Sequence, residues 1–137
     1  MSIAGGLDRA VERAVRVGAT ALQLFLKNSN QCHVFAAGYD LGDPAAVAAT
    51  LAEFERIIGL DRLRLIHIND SKTPLGARRD RHEHIGQGQI GTAGLAALLR
   101  DPRLGRVPFI LETPQGEDLE EDRMNLATLR RLWAEGA

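Results

Sequence analysis

Leu63-Arg64-Leu65-Ile66-His67-Ile68 is the stretch on which the fold turns. Period-2 alternation puts Leu63, Leu65, His67 and Asn69 on one face, with Ile66 and Ile68 on the other. Both faces are mostly apolar, as in a parallel sheet covered by helices. The neighbouring segments agree. Upstream, Asp43-Pro44 opens a helix, Asp as N-cap and Pro at the first helical position, and Val47, Leu51, Phe54 and Ile58 recur at helical spacing before Gly59 ends it. Earlier still, Ala21 to Leu26 reads as a strand followed by the polar loop Lys27-Asn28-Ser29-Asn30-Gln31, and Leu7 to Val17 as a helix stopped at Gly18.

Downstream, Asp70 to Gly91 reads as one long loop rich in Gly, Arg and His, of a length that is usually functional inside a compact domain. Thr92 is the expected cap of a helix carrying Leu95, Leu98 and Leu99, closed by Asp101-Pro102. Val107 to Leu111 is the next strand, with Pro108 near its start and Glu112 at its carboxyl end. A last helix, Leu119 to Ala134, presents Leu126, Leu129 and Trp133 at helical spacing. The order is a helix followed by three strand-helix units. That alternation argues for an α/β fold with a parallel sheet and right-handed crossovers. Ligands in such sheets gather at the carboxyl ends of the strands, here Lys27 to His33, His67 to Asp70, and Glu112.

Composition sets the outer bounds. At 137 residues the chain is expected to form one domain, long enough to bury roughly two-thirds of its unfolded surface. Apolar residues make up 45%, charged residues 26%, and the formal net charge is -1, so global charge points to neither nucleic acid nor membrane. No apolar run is long enough to span a bilayer, and the N-terminus lacks a basic-then-apolar signal pattern. The expected compartment is cytoplasmic. The single cysteine, Cys32, excludes an internal disulfide and fits a reducing environment. Beside His33 it reads more simply as a buried inert thiol than as a nucleophile or ligand.

The chemistry concentrates between His67 and Gly88, which holds three of the four histidines. His33, His67, Asp80, His82, His84 and Glu112 all suit a borderline divalent ion such as zinc. Asp80 and His82, two apart in extended chain, project to one side and form half a metal site; the alternative is a solvated charged loop. His67 is either a core histidine or a ligand, and Glu112 either faces the site edge or pairs with an arginine. Lys72, Arg78, Arg79 and Arg81 can approach a phosphate backbone, against the alternative of cations balanced by Asp70, Asp80 and Glu83. Gly86-Gln87-Gly88 falls short of a phosphate-loop fingerprint and reads as a turn.

Taken together, several stretches resemble the endonuclease IV family of zinc-dependent apurinic/apyrimidinic endonucleases, which act in base-excision DNA repair. They are Ser2 to Leu7, Ala21 to Gln31, Cys32 to Leu41 (Cys-His-Val-Phe-Ala-Ala-Gly-Tyr-Asp-Leu), His67 to Gly91 with its Asp-Arg-His, and Ile110-Leu111-Glu112-Thr113. The family fold is a xylose isomerase-like (β/α) barrel, which takes about 250 residues. The resemblance therefore implies a partial barrel: about three parallel strands, each followed by a helix, with an extra N-terminal helix. Residues 1–31 resemble the family's N-terminal part and 32–137 its C-terminal part, as in a family member internally deleted and clipped at its N-terminus.

The same resemblance implies the site. His33, Asp80 and His82 match one complete zinc site of a three-zinc cluster, and His67 and Glu112 match part of a second. The aspartate expected three residues before His33 is Asn30, and His84 is not a family ligand position. One or two zinc ions are expected, with His67 and Glu112 catalytic through metal, and with Lys27, Asn28, Lys72, Arg78, Arg79 and Arg81 facing DNA. The implied reaction is hydrolysis of the phosphodiester 5′ to an abasic site by zinc-assisted attack of hydroxide, impaired here by the missing ligands. A non-catalytic zinc- and DNA-binding remnant is the alternative, and a metal-dependent sugar isomerase-like fragment a third reading. Open sheet edges imply self-association.

Overall fold

The computed structural model describes residues 34–116 and 118–135. The helix expected at 7–17, the strand expected at 21–26, and Lys27, Asn28, Cys32 and His33 lie outside the described residues.

The first described helix, α1 (Pro44–Ile57), forms as its sequence dictates. Asp43 adopts extended backbone, and its Oδ1 accepts from the Ala46 amide at 2.9 Å, satisfying one donor that no helical carbonyl can reach. Val47 and Leu51 are buried. Gly59, at φ +91°, turns the chain away in a conformation that a β-carbon would oppose.

Strand β1 (Ile66–Ile68) follows a 3-10 turn at Leu60–Arg62. It pairs in parallel with β4 (Phe109–Leu111), in the register Ile66 with Phe109, His67 with Ile110 and Ile68 with Leu111. The Ile66 amide donates to the Pro108 carbonyl and the Glu112 amide to the Ile68 carbonyl, both at 3.0 Å, so both ends of the pair are closed. Each strand is shorter than its apolar run, three residues in both cases, and each is preceded by a 3-10 turn, at Leu60–Arg62 and Pro102–Leu104.

The stretch expected to be one loop from Asp70 to Gly91 contains a ribbon. Strand β2 (Asp70–Ser71) pairs antiparallel with β3 (His82–Glu83), Asp70 opposite Glu83 and Ser71 opposite His82. The Lys72 amide extends the pairing by donating to the Arg81 carbonyl at 2.8 Å. The expected Thr92 cap is also corrected. Helix α2 (Gly91–Arg100) already includes Thr92, and no side chain at its own N-cap position bonds to it. Its opening amides are instead met by Asp70, from 21 residues upstream.

Helix α3 (Glu120–Ala134) lies where the sequence puts it but is rotated. Leu126 and Trp133 were expected to face inward; they are 41% and 61% exposed, whereas Asn125 and Leu132 are buried. The inward face runs through Asn125, Leu129 and Leu132, so Leu129 of the expected stripe does pack against the core while Leu126 and Trp133 do not. Two apolar clusters hold the described residues together. One joins Phe35, Ile68, Ile85, Ile90, Leu95, Ala96 and Leu132; the other joins Val47, Leu51 and Leu104. Burial of each large aliphatic side chain contributes about 1.5–3 kcal/mol. Gly94 lets α2 cross the Leu41-Gly42 backbone, since a β-carbon there would run into the Leu41 carbonyl oxygen. No helix among the described residues is long and apolar enough to cross a membrane.

Candidate metal centre and nucleic-acid face

The parallel pair places its carboxyl ends side by side. Continuing the register one step sets Glu112 opposite Asn69, so His67, Asn69, Ile110 and Glu112 share a face. His67 Nδ1 lies 3.5 Å from Glu112 Oε2, with side chains 20% and 28% exposed. A second donor pair stands on the ribbon, where His82 Nε2 is 3.0 Å from Asp80 Oδ1 and both side chains are mostly buried. Two residues apart on extended chain, they meet on one side as the alternation requires.

Imidazole nitrogen and carboxylate oxygen are borderline-to-hard donors that suit zinc. Two such donors bound tetrahedrally at about 2.0–2.1 Å lie roughly 3.3 Å from each other. The observed separations of 3.0 and 3.5 Å fall on either side of that value. The donor chemistry of each pair suits a divalent ion, while the separations are equally those of a His–carboxylate ion pair. Among the described residues, no group of three or more His, Cys, Asp or Glu side chains converges. The third expected ligand of the first site, His33, lies outside the described residues.

Two buried polar side chains that the sequence did not single out as site residues hold these pairs in place. Asp70 is fully buried, and its carboxylate accepts from the amides of Ser71 at 2.8 Å, Gly88 at 3.0 Å, Ile90 at 2.9 Å and Gly91 at 3.2 Å. Gly88 must be glycine, because a β-carbon would strike the Ser71 carbonyl and the Asp70 carboxylate. Asn125, also fully buried, accepts from the Ile85 amide at 2.8 Å through Oδ1. Its Nδ2 donates to the Glu121 carbonyl at 2.8 Å and Thr113 Oγ1 at 3.0 Å, and faces His84 Nδ1 at 3.0 Å. No local sequence signal marks Asn125; the position could have been found only by asking why an amphipathic helix carries an amide beside its apolar stripe.

The cations sit on the turn that joins β2 to β3. Arg78, Arg79 and Arg81 are exposed, and Lys72, half exposed, has its Nζ 3.9 Å from Glu83 Oε1. Arg81 donates from a guanidinium nitrogen to the Asp80 carbonyl at 3.2 Å. The turn itself is anchored. The Gly76 amide donates to the Phe35 carbonyl at 3.2 Å and the Arg78 amide to the Ala36 carbonyl at 2.9 Å, while Arg78 takes the left-handed conformation at φ +53°.

A family model described as xylose isomerase-like TIM barrel matches residues 28–132. The chain is 57% identical over 101 residues to a protein of Chloroflexus aggregans named "Probable endonuclease 4", covering 74% of this chain and 35% of that one. It is 59% identical over 100 residues to a protein of the same name from Oleidesulfovibrio alaskensis, covering 73% and 34%. Among solved structures, endonuclease IV from Thermus thermophilus superposes with a TM-score of 0.67 at 44% identity, over 76% of this chain and 37% of that one. The chain thus spans about a third of the length of the curated relatives it matches.

Proposed function

The chain belongs to the xylose isomerase-like TIM-barrel family, on its endonuclease IV side, and from that premise we propose that it carries the zinc- and DNA-binding end of an abasic-site endonuclease. The observation that carries this reading is the pair of His-carboxylate couples, His67 with Glu112 and His82 with Asp80, at the carboxyl edge of a parallel pair. In this reading His33, Asp80 and His82 hold one zinc ion, and His67 and Glu112 contribute to a second site. The anchored turn supports the first assignment. The chain immediately after His33 is bonded through Phe35 and Ala36 to the turn that leads into Asp80.

Zinc, when bound, supplies Lewis-acid stabilisation of charge on a phosphoryl oxygen. The chain's own groups do the rest. Lys72, Arg78, Arg79 and Arg81, with Lys27 and Asn28, bind the phosphate backbone and orient it against the donor pairs. Glu112 and His67 would hold a metal ion facing the phosphodiester 5′ to the abasic site, and their part in the reaction would be to fix that ion's position. The ligands that the resemblance places in the missing part of the barrel are absent, and each 1.36 kcal/mol of lost transition-state stabilisation lowers the rate tenfold. Cleavage by this chain alone is therefore weak. Among the described strands, the parallel sheet has only β1 and β4, whose outer edges pair with no other described strand, and this supports self-association of the single domain.

Metal analysis of the purified chain, beside His82→Ala, tests the site. About one equivalent of zinc in the wild type and its loss in the variant is the expected result; less than about half an equivalent in the wild type sinks the assignment. Incubation with an abasic-site duplex, with and without chelator, tests the chemistry. Chelator-sensitive nicking supports the endonuclease, and binding without nicking leaves a non-catalytic DNA-binding protein.

A further inference from the structure

We propose that Asn125 is a positioning residue: it fixes the separation of the two His-carboxylate pairs by clamping the chain that leaves β3 and the chain that leaves β4 to one point on α3. The inference rests on the metal reading above and deepens it. Three observations carry it. Asn125 is wholly buried, where an amide is costly unless its groups are paired. Its partners come from two different strand exits: Ile85 lies three residues after His82, and Thr113 directly follows Glu112. Both exits are anchored, since Ile85 is 3% exposed within the main apolar cluster and Thr113 is itself buried.

The bonding pattern is specific. An amide oxygen must face the Ile85 N–H, and an amide nitrogen must face the Glu121 carbonyl and Thr113 Oγ1. That nitrogen has two protons, which the Glu121 carbonyl and Thr113 Oγ1 take, with His84 Nδ1 packed beside it at 3.0 Å. Leucine would satisfy none of these groups. Aspartate would keep the bond from Ile85 and lose every donor. Asp70, by contrast, bonds to Ser71 of β2, to Gly88 and to the residues that open α2, none of them in the β4 exit. Of the two buried latches, Asn125 is the one bonded to the chain that follows each pair, at Ile85 and at Thr113.

Asn125→Asp and Asn125→Leu, made in the full chain, separate positioning from mere stability. Zinc affinity is read by competition with a chromophoric chelator under conditions where circular dichroism reports a folded chain, and amide exchange is followed at Ile85 and Thr113. Groups that orient ligands from behind typically contribute 10–100-fold to metal affinity. We expect Asn125→Asp to bind zinc at least tenfold more weakly while the Ile85 amide stays protected. In Asn125→Leu, both affinity and Ile85 protection fall tenfold or more. Wild-type zinc affinity in folded Asn125→Asp overturns the proposal, whatever the loss in thermal midpoint. If the wild type takes up no zinc, the metal reading fails by itself. The clamp is then judged by exchange: faster exchange at Ile85 and Thr113 in Asn125→Leu supports it, and unchanged exchange overturns it.

Discussion

Asp70 and Asp80 belong to the same ribbon, ten residues apart in sequence, and their carboxylates have opposite surroundings. Asp70 is 0% exposed and saturated by the amides of Ser71, Gly88, Ile90 and Gly91. Asp80 keeps some solvent access, 14% of its side chain, and turns an oxygen toward the His82 imidazole. A carboxylate surrounded by backbone donors builds architecture, because its lone pairs are committed and its charge is stabilised by amides that would otherwise be orphaned. A carboxylate beside an imidazole can share a cation with it. The burial of the first gives the second a fixed address.

The sharpest way to break this contrast is Asp70→Ala. Several buried amides lose their acceptor, and a loss of about 3–4 kcal/mol is expected in chemical denaturation, equally with and without zinc. His82→Ala should instead remove only the zinc-dependent increment, which for a ligand at 100 times its Kd is about 2.7 kcal/mol. If the stability lost by Asp70→Ala depends on zinc, the division between architecture and chemistry does not hold. Next in size is Gly94→Ala, where the new β-carbon meets backbone and not a movable side chain. About 2–3 kcal/mol of destabilisation is expected, and a thermal midpoint within about 2 °C of wild type would disprove the close crossing of α2 over Leu41.

The smallest effect belongs to a carboxylate of the architectural kind at the surface. Side-chain hydrogen bonds from Arg103 hold Asp101 below the usual carboxylate range, with the Arg103 amide and charge acting in the same direction and desolvation opposing them. A depressed carboxylate pKa stabilises the fold above its unfolded value, and that contribution is lost as pH falls through the folded one. The difference in unfolding midpoint between wild type and Asp101→Asn should therefore be small at pH 7 and shrink further under acid. A difference that grows as pH falls would reverse the assignment.

Helix α1 was legible because every signal for it is local: Asp43, Pro44, the Val47 and Leu51 stripe and Gly59 all act within one or two turns. A parallel sheet followed from apolar runs alternating with helices, though not which strand pairs with which; Asp80 beside His82 followed from their spacing, whereas His67 beside Glu112 was implied only by the family resemblance. The ribbon was not legible, since Asp70-Ser71 and His82-Glu83 are polar and too short to alternate, and their pairing depends on contacts across the turn. Thr92 looked like a cap because Asp70, the residue that meets those amides, lies far back in sequence. The face of α3 was misjudged for a related reason. Leucine and tryptophan spacing marks where apolar side chains fall, but a buried Asn125 with a full set of partners draws its own side of the helix inward.

If the arginine turn binds DNA as proposed, the bonds from Gly76 and Arg78 to Phe35 and Ala36 would bear on how quickly it captures a polyanion. Ordering a loop on arrival costs about 1–2 kcal/mol per residue in backbone entropy, and residues already held by the fold have lost that freedom before any encounter. Arg78, Arg79 and Arg81 thus stand on a turn whose base is bonded to the fold. Salt should govern the rate at which such a surface captures phosphate more strongly than temperature does, because capture depends on long-range attraction and not on rearranging the chain.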